Sequence, residues 1–188
     1  NVAFYDDALF YKNAYIKSIL NEIIERKYEF YFHTPNGLHA AYIDEELAEL
    51  MYKSGFVGFN VSLETTNSVL QTQTGGKIDN DIFRTAIDNL KKAGYKAPDI
   101  GVYMLVGLPG QAYDLILADL KYLTHLNVKI KVLNYSPIPG TEDFNRLDKT
   151  IRDRLIDEPL LHNELYYMKI NREYTQEMHV YVKSVVAA

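Results

Sequence analysis

The sequence contains no cysteine, which excludes disulfides, thiolate metal ligands and a thiol nucleophile within these 188 residues. No serine sits in a G-x-S-x-G elbow, so a self-contained hydrolase is hard to assemble. No strand pattern is followed by G-x-G-x-x-G and no Walker lysine loop occurs, which lowers both nucleotide-fold readings. The histidines His33, His39, His125, His162 and His179 show neither H-x-x-x-H nor H-x-H spacing and read as core or surface residues rather than metal ligands. No apolar run is long enough to span a bilayer, and no charged-then-apolar leader precedes a cleavage site. Excess positive charge is also missing. With 20 Lys and Arg against 25 Asp and Glu the net charge is −5, which argues against a general binder of phosphate backbones. What remains is a soluble, cytoplasmic, globular chain of one domain with an appendage. Asn1 opens it in place of methionine and leads straight into a strand pattern, so the sequence reads as a piece of a longer protein.

What is present is a repeated unit. GVYMLVGLPG, starting at Gly101, runs without charge through Val102 and Gly107 and stops at a glycine-proline-glycine turn. A strand reads this way when both faces are buried in a parallel sheet. NVAFYDD, EFYFHTP, GFNVSLE and KIKVLNYSP repeat the scheme, each apolar and then polar, acidic or turn-forming. The predicted strands are residues 1–5, 29–33, 56–63, 100–107 and 129–135. Helices are expected after the first strand, from Asp44 to Lys53, over residues 65–73, from about Asp81, from about Ala112, and from Pro159 to the end. Asp6-Asp7 is read as a cap of the first helix, Asp44 as the cap of the second, and residues 38–43 as loop. Five strands alternating with helices imply right-handed parallel βα units, with a TIM-like (β/α) barrel or part of one ahead of an open doubly wound sheet. The barrel is expected over residues 1–147 and a C-terminal helical extension over 148–188.

In such folds ligands gather at the C-terminal ends of the strands, where loop N–H groups and helix dipoles converge. Glu64, directly after a buried strand, is therefore the foremost candidate, and its alternative is a salt bridge or a cap. Asp6 and Asp7 serve equally as caps or as ligands. Lys77, after Gly75-Gly76, suits an anionic group, although a lone surface lysine is the commoner case. Many of the sixteen tyrosines fall on strands or apolar helix faces and are expected to pack.

YDD at 5–7, TPNGL at 34–38, SLETTNSVLQTQTGGK at 62–77, GVYMLVGLPGQ at 101–111 and NYSPIPGT at 134–141 together resemble the radical S-adenosylmethionine enzymes, closest to the branch often fused to a cobalamin-binding domain. The likeness implies a partial six-stranded βα barrel and a 4Fe–4S cluster held by three cysteines after the family's first strand. Those cysteines are missing here, so the likeness makes residues 1–5 the family's second strand and puts the cluster ligands upstream, the alternative being a degenerate barrel that has lost its cluster. It further implies Asp6-Asp7 for the methionine ammonium, where the family has a Gly-Gly-Glu-like motif. Glu64 is implied for the ribose hydroxyls, Lys77 for the methionine carboxylate, and Val106-Gly107 with Tyr135-Ser136 for adenine. The implied reaction is reduction of S-adenosylmethionine by the cluster to a 5′-deoxyadenosyl radical, which abstracts hydrogen from a substrate that the sequence does not specify. Cobalamin in an upstream domain is the further cofactor this branch allows. The competing readings are a barrel that binds a small molecule or phosphate without radical chemistry, and a scaffold whose Tyr-rich tail binds a partner. A missing neighbour for the first strand would leave an exposed edge and favour self-association.

Overall fold

The protein is described by a computed structural model covering residues 1–73, 76, 78–161 and 174–187. Its elements begin with β1 (Val2–Ala3), α1 (Ala14–Glu25), β2 (Phe32–His33), β3 (Leu38–His39), α2 (Glu45–Ser54), β4 (Phe56–Gly58) and β5 (Asn60–Glu64). They continue with α3 (Ser68–Gln73), α4 (Asn80–Ala93), β6 (Gly101–Val106), α5 (Tyr113–Leu126) and β7 (Lys129–Asn134). Three more described helices follow, α6 (Glu142–Arg146), α7 (Lys149–Asp157) and α8 (Gln176–Ala187).

The strands form two sheets, ordered β1-β2-β4 and β3-β5-β6-β7. β1 runs parallel to β2, β2 to β4 and β3 to β5, with Val2 opposite Phe32, Phe32 opposite Phe56 and Leu38 opposite Val61. Lys129 N donates to Ile100 O and Tyr135 N to Val106 O, both at 2.9 Å. Equal offsets at the two ends mean that β6 and β7 are parallel as well.

Two compact units divide the chain. One comprises Asn1–Leu63, Lys77–Tyr103 and Leu123–Ile130. Its first sheet is aromatic, because flat rings suit the face of a pleated sheet; Phe4, Phe32 and Phe56 pack with centroids 5.2–5.8 Å apart. α2 packs on α1 and on α4, and Leu20, Leu47, Met51, Phe83, Ile87 and Leu90 are fully buried. The ends of α2 follow from sequence: Asp44 Oδ1 accepts from Leu47 N at 2.8 Å, and Gly55 leaves the helix at φ +96°, a left-handed conformation open to glycine.

The other unit comprises Glu64–Gly76, Met104–Tyr122 and Lys131–Ala188. Leu70, Met104, Val106, Ile116 and Leu120 are buried in it. Phe144, Leu155 and Leu161 form a cluster on which Tyr135, Leu147 and Ile151 pack. Lys183 Nζ on α8 donates to Val132 O on β7.

Several expectations need correction. The strand foreseen at 56–63 is two strands, β4 and β5, belonging to different sheets and separated at Phe59; its apolar pattern continues across the break because Phe56, Phe59, Val61 and Leu63 are all buried. Residues 38–43 are not loop but β3 followed by a short 3-10 turn at Ala40–Tyr42. Asp6-Asp7 does not cap α1, which starts at Ala14 with Asn13 before it. The regular strands at 1–5 and 29–33 reduce to two residues each. Of the helix foreseen from Pro159 onward, residues 162–173 lie outside the described residues, and α8 occupies Gln176–Ala187.

Candidate functional site

The second unit carries the C-terminal end of β5 and the turn that follows. Glu64 is half-buried and has φ +68°, a left-handed conformation that costs a residue with a Cβ about 1–2 kcal/mol. A conformation of this kind persists only where neighbouring contacts over-determine it. Those contacts come from the stretch SLETTNSVL, in which Thr65, Thr66 and Asn67 each have an assignment. Thr65 is fully buried; its carbonyl accepts from Gln71 Nε2 at 2.8 Å and its Oγ1 from Asn67 N at 3.2 Å. Asn67 Oδ1 accepts from Val69 N and Leu70 N, both at 3.1 Å, and so caps α3. Thr66 donates through both its N–H, at 2.7 Å, and its hydroxyl to Oδ1 of Asp119 on α5. Burial pushes the Asp119 carboxyl up from its ordinary pKa, and the Thr66 donors act in the opposite direction.

The next loop is braced from the same side of the sequence. Val106 is buried at the end of β6 and its carbonyl accepts from Tyr135 N. Gly107 turns the chain at φ +81°, where glycine is at no disadvantage. Gln111, fully buried, closes this loop: its Oε1 accepts from Leu108 N and its Nε2 donates to Leu105 O, each at 3.2 Å. Tyr135 packs its ring on the Phe144 cluster, and Ser136 follows it, half-buried. Five expected residues, Glu64, Val106, Gly107, Tyr135 and Ser136, thus belong to one unit, at or just beyond the ends of β5, β6 and β7. A cavity of about 310 Å³ in this unit is lined by Leu70, Gln73, Leu108, Pro109, Gly110, Asp143 and Arg146. None of the five lines it.

Asp6 and Asp7 belong to the other unit and are exposed. Asp6 Oδ1 accepts from Ala8 N at 2.8 Å, closing a local turn, and Asp7 Oδ1 accepts from Asn36 Nδ2 at 2.9 Å. Lys77 lies outside the described residues.

Asp119 and Gln111 are the residues that sequence reasoning passed over. A signal for Asp119 existed: it falls three residues after Ile116 and four before Leu123, on the apolar face of α5, where an unaccompanied acid is out of place. Gln111 follows the proline-glycine turn and carries no comparable signal.

The donor set can be tested against the two groups that the family likeness implies. A half-buried carboxylate at a strand end suits a ribose diol, which offers two hydroxyl donors to its two oxygens. A 4Fe–4S cluster does not fit this chain, which has no cysteine. Among the described residues no group of three or more His, Asp and Glu could hold a metal ion, and no helix is long and apolar enough to cross a membrane.

No curated protein matches the sequence significantly. Among solved structures, the radical S-adenosylmethionine methyltransferase TsrM from Kitasatospora setae, with cobalamin and a [4Fe-4S] cluster bound, is similar with a TM-score of 0.61 and 18% identity, over 74% of this chain and 28% of that one. Coproporphyrinogen III oxidase HemN from Escherichia coli, a radical SAM enzyme, gives a TM-score of 0.56 and 14% identity, over 77% of this chain and 36% of that one. The chain therefore spans about a third or less of the length of these two proteins, and the likeness identifies its α/β fold as a partial TIM-like barrel with parallel strands. The sequence pattern of the Radical SAM superfamily matches residues 4–123, well over half of the chain, and with the parallel strands and the acid at the end of β5 it establishes that this chain belongs to the radical SAM superfamily.

Proposed function

We propose that this chain is the barrel portion of a cytoplasmic radical S-adenosylmethionine enzyme and binds the nucleoside end of S-adenosylmethionine through Glu64. The observation that carries the reading is Glu64 itself, a half-buried carboxylate held in a left-handed conformation at the end of a parallel strand. Its two oxygens accept from the ribose hydroxyls, and the backbone at Val106-Gly107 and Tyr135-Ser136 offers a wall for adenine. When bound beside a 4Fe–4S cluster, S-adenosylmethionine supplies the radical chemistry for hydrogen abstraction. In this reading the cluster ligands come from outside the chain, as does any cobalamin.

The work left to these residues is to bind, orient and exclude water. Ribose recognition by a charged acceptor is worth roughly 1.5–3 kcal/mol. Replacing Glu64 by Gln keeps length and removes charge, so affinity should fall about tenfold to a hundredfold. Calorimetry with S-adenosylhomocysteine, which needs no cluster, measures this on the chain directly. Equal affinity of wild type and Glu64→Gln would remove Glu64 from the site.

A further inference from the structure

We propose that Asp119 is a positioning residue for Glu64: by holding both donors of Thr66 it fixes the turn that keeps Glu64 left-handed at the end of β5. The ligand side of this inference rests on the reading of Glu64 as the ribose carboxylate; the conformational side does not. Asp119 is fully buried, and its Oδ1 takes the Thr66 N–H and the Thr66 hydroxyl together. Thr66 is two residues from Glu64, and the intervening Thr65 is buried with its carbonyl occupied by Gln71. The Thr65–Thr66 peptide is thereby tied at both of its polar groups, its carbonyl by Gln71 and its N–H by Asp119, and Asp119 is the tie that comes from another helix. A buried carboxylate is an expensive way to accept two hydrogen bonds, since burial opposes its charge. Its retention makes sense where the orientation of a neighbouring group depends on it.

The claim can be tested with and without ligand. A residue at positive φ has its amide hydrogen close to its own Hα, so Glu64 should give a strong intraresidue cross-peak between the two in the NMR spectrum of the isotopically labelled chain. Asp119→Ala should lose that intensity, whereas Asp119→Asn, which keeps an acceptor toward Thr66, should retain it. In calorimetry with S-adenosylhomocysteine, Asp119→Ala should weaken binding by about the factor seen for Glu64→Gln, on the order of tenfold. The double variant should bind no more weakly than either single one, because a carboxylate that is absent cannot be misplaced. Asp119→Asn should bind like wild type. If Asp119→Ala does not fold, Thr66→Val takes its place, since it removes one donor and keeps the N–H; a weakened Glu64 cross-peak supports the proposal. A wild-type cross-peak in Asp119→Ala or Thr66→Val overturns it, as do independent, multiplying losses in the double variant. Failure of the wild-type chain to bind S-adenosylhomocysteine would count against the proposed function, while the cross-peak would still decide the positioning role.

Discussion

At the scale of single residues, Glu64 shows how a functional reading and a backbone conformation become linked. The sequence marks it as an acid after a buried strand but carries no sign of its φ of +68°, because side-chain order alone does not distinguish a strand that ends in a turn from one that ends left-handed. This conformation separates two substitutions that would otherwise look alike. Glu64→Gly relieves the Cβ conflict, offset in part by the greater freedom of glycine in the unfolded chain. It should therefore be more stable than Glu64→Gln by up to about 1 kcal/mol, although both lose the carboxylate. Thermal melts of the two variants check this, and a Glu64→Gly chain that melts below Glu64→Gln would show that the left-handed turn is not under strain. Asp119 was legible only as an anomaly, an acid on an apolar helix face, since its partner is 53 residues away in Thr66.

At the scale of elements, the helices were easier to read than the strands. Asp44 and Gly55 were recognisable as the ends of α2 because capping is local chemistry, settled within four residues. β4 and β5 were not separable, since the sheet a strand joins depends on distant partners: Phe32 for β4 and Leu38 for β5. Gly55 yields a clear test. A Cβ there would collide with Phe30 O, at φ +96°. Gly55→Ala should consequently cost about 2 kcal/mol or more in denaturant unfolding; a change below half of that would mean that the β2 side of the contact yields. Asp44 tests the other end of α2. Burial works against its charged form, but the Lys17 ammonium at 2.7 Å, the Leu47 N–H and the Asn13 amide together hold its pKa below the usual carboxylate range. A carboxyl with a depressed folded pKa contributes stability above its unfolded value, about 3.9, and loses it as pH falls through the folded one. The Asp44 side chain is half-exposed, so the charge itself is worth at most about 1 kcal/mol. Asp44→Asn should be that much less stable than wild type at neutral pH, and the gap should close on acidification below about pH 4. A gap that persists at pH 2 would assign the effect to packing.

At the scale of the whole molecule, the alternation of strand and helix and the recurring polar strand ends were enough to read a partial barrel, and the missing cysteines were enough to exclude a cluster ligated by this chain. Anaerobic reconstitution of the 188 residues with iron and sulfide should leave them colourless; a stoichiometric iron–sulfur absorption band would contradict the requirement for thiolate. β1 lies at the end of its sheet, paired through β2, and an open strand edge favours association with another copy. Light scattering that shows a strict monomer, with fast hydrogen exchange at residues 2–5, would exclude that outcome. The division into two units was not readable, because four of its five boundaries fall inside regular elements, at Leu63/Glu64, Tyr103/Met104 and Ile130/Lys131 in strands and at Tyr122/Leu123 in α5, where the sequence shows no linker. Since each unit is made of three segments taken alternately, the chain passes from one to the other five times. Neither unit can be encoded as one uninterrupted stretch of gene. A stop codon after residue 147 would leave every segment of the first unit intact while taking Leu155, Leu161, Tyr174 and Val182 out of the interior of the second, so truncation libraries and exon-style shuffling should find no viable breakpoint between residues 64 and 161.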